Sequence, residues 1–408
     1  MPTRPEDVGL SSERLARIDS HLKRRYLDPG KIAGALTLVF RRGHVAWLSP
    51  QGLMDRERGV PMAEDTIFRI FSMSKPVTSV ALMQLYEHGH FQLDDPVYKS
   101  IPAWRDLRVF RAGSYPQFAT APCERNMTIR DLLTHQSGLT YGFMQRTNVD
   151  AAYRELGIGC LDKRFDGDLD DMIARLAELP LEFSPGQAWN YSVSTDVCGH
   201  LIEHFSGERL DEYLRRHVFE PLGMEDTGFQ VSDEKIERFA ANYTRGPGKE
   251  LILGDDPERS HYRRPPRLLG GGGGLVSTAG DYLRFCRMLL GGGELDGVRI
   301  LGPRTLALMT RNHITGGLDT AQAAAGNYTE VAAPGTGFGL GFSVTLDPVR
   351  TGVTGSAGEF AWGGAASTVF WVDPVEEMIV IFMTQFMPSG TFNFRGQLKS
   401  IVYGAITD

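Results

Sequence analysis

Phe71-Ser72-Met73-Ser74-Lys75-Pro76 stands between a strand-like stretch, Thr66 to Phe71, and a run from Val77 to Tyr86 that is apolar at helical spacing. That second run stops at His88-Gly89, where glycine can take a left-handed cap. Serine followed three residues later by lysine puts both side chains on one helix face, within reach of each other. Ser20/Lys23 and Ser232/Lys235 share the spacing. Context separates them: Ser20 is in the middle of an exposed amphipathic helix, and Ser232 is crowded by Asp233, Glu234 and Glu237. Ser72 instead opens a helix, with Pro76 where a first-turn proline is tolerated. Its hydroxyl would feel the positive end of the helix dipole beside free backbone N–H groups, which favours a developing negative charge. An N-cap serine beside a solvated lysine is the alternative. The buried character of the helix favours the first reading, since apolar packing disfavours the charged lysine and makes it a base.

Outward from this segment the pattern is mixed. Leu15, Ile18, Leu22 and Tyr26 share one face of an opening helix over Ser12 to Tyr26, and Ala33 to Phe40 with Val45 to Leu48 predicts a hairpin turning at Arg41 to His44. From Leu93 to Gly207 helical segments are joined by proline and glycine, with no alternating strand. Beyond Gly270 to Gly274 a helix is expected over Asp281 to Leu290, with Thr278 and Asp281 as its capping box. Phe338 to Val344, Ser367 to Val372 and Met378 to Met383 read as strands, with turns at Asp347-Pro348 and Asp373-Pro374. Such short connections imply antiparallel pairing. The expected fold class is α/β of the α+β type: one antiparallel sheet from both chain ends, flanked by the N- and C-terminal helices. Residues 1–90 and 215–408 would form that domain, and residues 91–214 a mostly helical insert above it.

Composition narrows the function. A chain of 408 residues can bury a large core without metals or disulfides. Cys123, Cys160, Cys198 and Cys286 are scattered, with no zinc-ligand spacing, and read as thiols in a reducing compartment. A net charge of −7 with dispersed basic residues argues against nucleic acid or an anionic membrane as partner, and Arg263-Arg264-Pro265-Pro266-Arg267 reads as a solvated loop. No apolar stretch reaches spanning length, and Met1 to Asp7 lacks the pattern of a secretory signal. A cytoplasmic protein with no cofactor or metal is expected.

Two further segments bear on chemistry. Trp189-Asn190-Tyr191-Ser192 follows a turn at Ser184-Pro185-Gly186 and precedes a helical run, Asp196 to Phe205. A tyrosine at such a corner can project its phenol into a cleft, where a lysine cation would lower its pKa and make it a proton acceptor for Ser72. Alone it would read as an ordinary packed tyrosine. Trp362-Gly363-Gly364-Ala365 lies before the strand from Ser367, and its glycines permit close approach to the backbone. The Ala365 and Ser72 N–H groups would then form an oxyanion hole; a glycine bulge carrying a packed tryptophan is the plainer account.

Together these segments resemble the serine β-lactamase and penicillin-binding protein superfamily, and most closely the family VIII carboxylesterases. Leu93-Asp-Asp-Pro-Val97, Thr128-Ile-Arg-Asp-Leu-Leu-Thr-His-Gln-Ser-Gly138, Pro221-Leu-Gly-Met224 and Gly271-Gly-Gly-Gly-Leu-Val-Ser-Thr278 extend the resemblance over nearly the whole chain. It implies Ser72 as nucleophile, Lys75 as its partner, Tyr191 as general base and acid, and Trp362-Gly363-Gly364 as the third motif. Two positions depart: Val193 stands where the lactamases carry asparagine, and Trp362 where they carry lysine. Loss of that cation removes an anchor for a substrate carboxylate worth ~1.5–3 kcal/mol, and a neutral short- to medium-chain ester suits the site better. Acyl transfer to another acceptor, lactam or D-alanyl peptide hydrolysis, and an inert binding protein are the rivals. Gly270 to Gly274 lacks the spacing of a nucleotide cradle, and no GxSxG elbow accompanies His135, which reads as structural. Tyr141 and Phe143 are expected to line the acyl pocket. The expected partner is a small-molecule ester, and the oligomeric state stays open, a homodimer included.

Overall fold

The computed structural model describes residues 3–161, 163–325 and 332–408; Met1 and Pro2, at the start of the segment read for a signal, lie outside them. Helix α1 (Ser12–Leu22) leads into strands β1 (Gly34–Arg41), β2 (His44–Asp55) and β3 (Val60–Pro61). Five strands from the far end complete the sheet: β4 (Thr336–Phe338), β5 (Ser343–Thr345), β6 (Phe360–Gly363), β7 (Val369–Asp373) and β8 (Met378–Thr384). Their spatial order is β4-β5-β6-β7-β8-β1-β2-β3, antiparallel throughout. The chain ends meet where β1 pairs β8, with Ala35 opposite Thr384 and Arg41 opposite Met378.

Strand β8 reads as an unbroken apolar run because helices cover both its faces. Met378, Val380 and Phe382 share a core with Leu15, Ile18 and Leu22 of α1 and with Leu398 and Val402 of the C-terminal helix, Phe394–Tyr403. Ile379, Ile381 and Met383 face the other way, into a core shared with α2 (Ser74–Glu87) and the helix Ala279–Leu290. The expected antiparallel sheet flanked by terminal helices is the observed architecture.

Several local expectations are corrected. The stretch Phe338 to Val344 is not one strand: Gly341 has φ +94° and turns the chain between β4 and β5. Within 91–214 the pair Arg108–Ser114 and Gln117–Pro122 forms a hairpin. Most of its residues are exposed and only Val109 is buried, so apolar alternation is missing from its sequence. Trp362 and Gly363 end β6, a strand the reading missed, and do not begin the next one. At Thr278 the hydroxyl accepts from the Asp281 N–H, but Asp281 does not return the bond; its carboxylate takes the Asp226 N–H and the Thr227 hydroxyl instead. Arg263 and Arg267 of the basic run pair with Asp233 and Asp171. Among the described residues no helix is long and apolar enough to cross a membrane.

Candidate active site

The strand expected over Thr66 to Phe71 is a two-residue ladder, Phe68 opposite Ser277 and Arg69 opposite Val276. Short as it is, it decides the site, because it ends just before Ser72 and begins just after the glycine run 270–274. Phe71 follows with φ +42°, a left-handed conformation that a bulky residue adopts only when its surroundings hold it there. Ser74 supplies part of that hold, donating to Phe71 O at 2.6 Å while its Oγ accepts the Leu275 N–H at 3.1 Å. Ser72 sits in the single 3-10 turn Phe71–Met73 ahead of α2, not in the α-helix proper. The half-buried Ser72 faces a cavity of about 380 Å3.

Lys75, on the first turn of α2, is fully buried and reaches back to this turn. Its Nζ lies 3.2 Å from Ser72 Oγ and donates to Gly272 O at 2.6 Å. The same nitrogen is 4.6 Å from the ring centroid of Tyr191 and 5.2 Å from that of Tyr141. Burial pushes the Lys75 pKa down to about 7, against the opposing pull of the Asp196 carboxylate. The glycine run is thus a backbone acceptor for the lysine, with Thr78 Oγ1 donating to Gly271 O at 2.8 Å. Side chains at 271 and 272 would collide with this arrangement: a Cβ on Gly271 would stand 2.9 Å from Thr195 O, and one on Gly272 2.7 Å from Asp196 Oδ2.

Tyr191 arrives from the segment before the helix Ser194–Ser206, pinned by Asn190 N–H to His135 O at 2.8 Å and Val193 N–H to Thr140 O at 3.2 Å. Its ring is enclosed by those of His135, Tyr141 and Trp362 at 5.0, 5.1 and 5.5 Å. His135 does not line the cavity: it is buried, bonded through Nδ1 to Ser192 Oγ at 3.1 Å, and burial holds its pKa well below 6.5. Trp362, read as substrate-binding, is also absent from the cavity wall; it is 2 % exposed and packs behind Tyr191 and against Phe338. The other residues read from sequence, Gly363, Gly364, Ala365, Tyr141 and Phe143, all line it. The two rings stack at 4.6 Å. A Cβ on Gly364 would run into Ile70 O and Thr368 Oγ1, so glycine is what lets the end of β6 lie against the strand that delivers Ser72. Among the described residues, the Ala365 N–H donates to no protein acceptor.

Residues 21–400 match the family described as Beta-lactamase. The chain belongs to the beta-lactamase family. "Esterase EstB" of Burkholderia gladioli is 34% identical over 395 residues, 92% of this chain and 91% of that protein. "Protein Rv1367c" of Mycobacterium tuberculosis is 38% identical over 371 residues, 90% and 88% of the two chains. Among solved structures, "EstCE1, a hydrolase with promiscuous acyltransferase activity" superposes with a TM-score of 0.80 at 28% identity, covering 96% of this chain and 99% of that one. The resemblance read from the motifs therefore stands, and this beta-lactamase-family chain is a serine hydrolase.

Sequence reading missed three features of this family member's site. Asp196, buried and bonded to the Gly272 N–H at 3.0 Å, carried no motif signal beyond its place five residues after Tyr191. Ser74 looked like spacing between Ser72 and Lys75. Four basic side chains, Lys163, Arg164, Arg267 and Arg395, line the cavity from loops and from the C-terminal helix, far from any motif. Among the described residues no cluster of three His, Cys, Asp or Glu is arranged to hold a metal.

Proposed function

We propose that this protein is a carboxylesterase that works through an acyl-enzyme on Ser72. The observation that carries the reading is the Lys75 amine, buried, pushed down to about 7, and 3.2 Å from the serine oxygen. Above that pH the amine is neutral and can take the hydroxyl proton as Oγ attacks the ester carbonyl. The motif reading gave that proton to a Tyr191 phenolate held by a lysine cation; a lysine that is neutral at working pH favours Lys75 as acceptor and Tyr191 as the relay to the leaving oxygen. In the first half-reaction the Oγ–C bond forms, the C–O bond to the alcohol breaks, and the alcohol departs with the serine proton. Water then attacks the acyl-enzyme by the same route, releasing the acid and restoring Ser72. The Ser72 and Ala365 amides are the proposed donors to the oxyanion.

The esters expected are neutral and of short to medium chain, because Trp362 replaces the cation that binds a carboxylate in the lactamases. The apolar share of the wall, including Phe143, Phe165, Met172 and Leu268, supports an apolar acyl group. Ser72→Ala should abolish hydrolysis of p-nitrophenyl butyrate while the protein stays folded. A parallel assay with a carboxylate-bearing p-nitrophenyl monoester tests the preference: a kcat/KM above that of the neutral ester would show that the basic wall side chains, not Trp362, set it.

Transfer of the acyl group to an alcohol in place of water is the second reading, favoured by the likeness to EstCE1, a hydrolase with promiscuous acyltransferase activity. Product analysis with an added primary alcohol separates the two, ester formation exceeding free acid marking a transferase.

A further inference from the structure

The Gly272 peptide is held from both sides by groups of opposite charge. Its N–H donates to Asp196 Oδ1 at 3.0 Å, and its carbonyl accepts the Lys75 amine at 2.6 Å. Asp196 comes from the helix Ser194–Ser206 and Lys75 from α2, which pack together, so one peptide unit links the two helices that directly follow Tyr191 and Ser72. Asp196 is 8 % exposed and forms no ion pair within 4 Å among the described residues. Burial raises the Asp196 pKa above its ordinary value, opposed by the Lys75 cation and the Gly272 N–H.

We propose, resting on the acyl-enzyme reading above, that Asp196 is a positioning residue: its carboxylate fixes the Gly272 peptide, and that peptide's carbonyl holds the Lys75 amine against Ser72 Oγ. Its charge also acts on the amine through space. Among the described residues, the groups facing Lys75 and Asp196 are Ser72 in the turn before α2, Tyr141 and Tyr191 by their rings, His135 beyond Tyr191, and Cys198 two residues along from Asp196. Burial holds the His135 pKa well below its ordinary value and the Cys198 pKa well above its own. The carboxylate is then the charge that keeps the Lys75 proton from leaving at still lower pH.

Two substitutions separate holding from charge. Asp196→Asn keeps an oxygen acceptor for the Gly272 N–H and removes the charge; the acid limb of kcat/KM should move to lower pH by roughly one unit, with KM unchanged. Thr78→Val loosens the same loop at Gly271 and leaves every charge in place; kcat should fall by about 10-fold or more with the limb unmoved. Asp196→Ala removes both contributions and should show both effects. Thermal unfolding of each variant accompanies the kinetics, and the Thr78 variant tests the loop even where an Asp196 variant does not fold. Superimposable pH profiles for wild type and Asp196→Asn, or an unchanged kcat in Thr78→Val, overturn the proposal. Turnover surviving Ser72→Ala would instead overturn the acyl-enzyme reading, a separate outcome.

Discussion

The Lys75 amine lies over the face of Tyr191, 4.6 Å from the ring centroid, while the same nitrogen reaches Ser72 Oγ at 3.2 Å. A cation gains from that ring face and a neutral amine does not, so the contact eases but does not cancel the cost of burying the charge. Catalysis and stability pull on this one nitrogen in opposite directions.

The pH profile should report it. Because Lys75 loses its proton at about pH 7, kcat/KM for a short-chain p-nitrophenyl ester should rise with pH to a plateau through an inflection near that value. Below it the rate should fall tenfold per unit. A profile flat down to pH 5 would exclude Lys75 as the base.

Stability should follow the same group. The lysine binds its proton more weakly in the folded protein than in the unfolded chain, so its cost to folding is full below pH 7 and shrinks as pH rises from 7 toward 10.5. Lys75→Met should therefore be inactive yet more stable than wild type, by on the order of 4 kcal/mol at pH 6 and clearly less at pH 9.5. Denaturant titrations at the two pH values measure this.

Restoring the lysine of the lactamase third motif should fail. Trp362→Lys would bury an ammonium among the Tyr191 and Phe338 rings, where tryptophan now sits. The expected loss is about 3–5 kcal/mol, with no gain in nitrocefin hydrolysis. A folded Trp362→Lys variant that cleaves nitrocefin would mean that lysine can reach the cavity.

Gly364 should be intolerant of a methyl group. Its missing Cβ makes room for Ile70 O, a backbone atom that cannot swing aside. Gly364→Ala should lower kcat by about 10–100-fold and stability by about 1–3 kcal/mol. Gly228→Ala, where a methyl would meet nothing within 4 Å, serves as the matched control and should change neither.

What could be read from residues alone was whatever local spacing dictates. Ser72 and Lys75 share a face because helical geometry puts residues three apart side by side, and β8 announced itself because an apolar run this short, buried on both faces, has few other uses. The exposed hairpin 108–122 escaped because strands with little buried surface carry no alternation. Trp362 was placed at the wall by analogy with a motif, although its ring faces inward.

The sequence by itself determined the antiparallel sheet joining both chain ends, the family, and three segments that meet at one cavity. Only the tertiary structure decided that the glycine run serves the lysine, that Asp196 stands behind it, and that basic residues from remote loops line the cavity. The reason is physical: spacing along a chain sets which neighbours share a face, but a proton's affinity depends on the water excluded and the charges gathered around it, and those come from segments hundreds of residues apart.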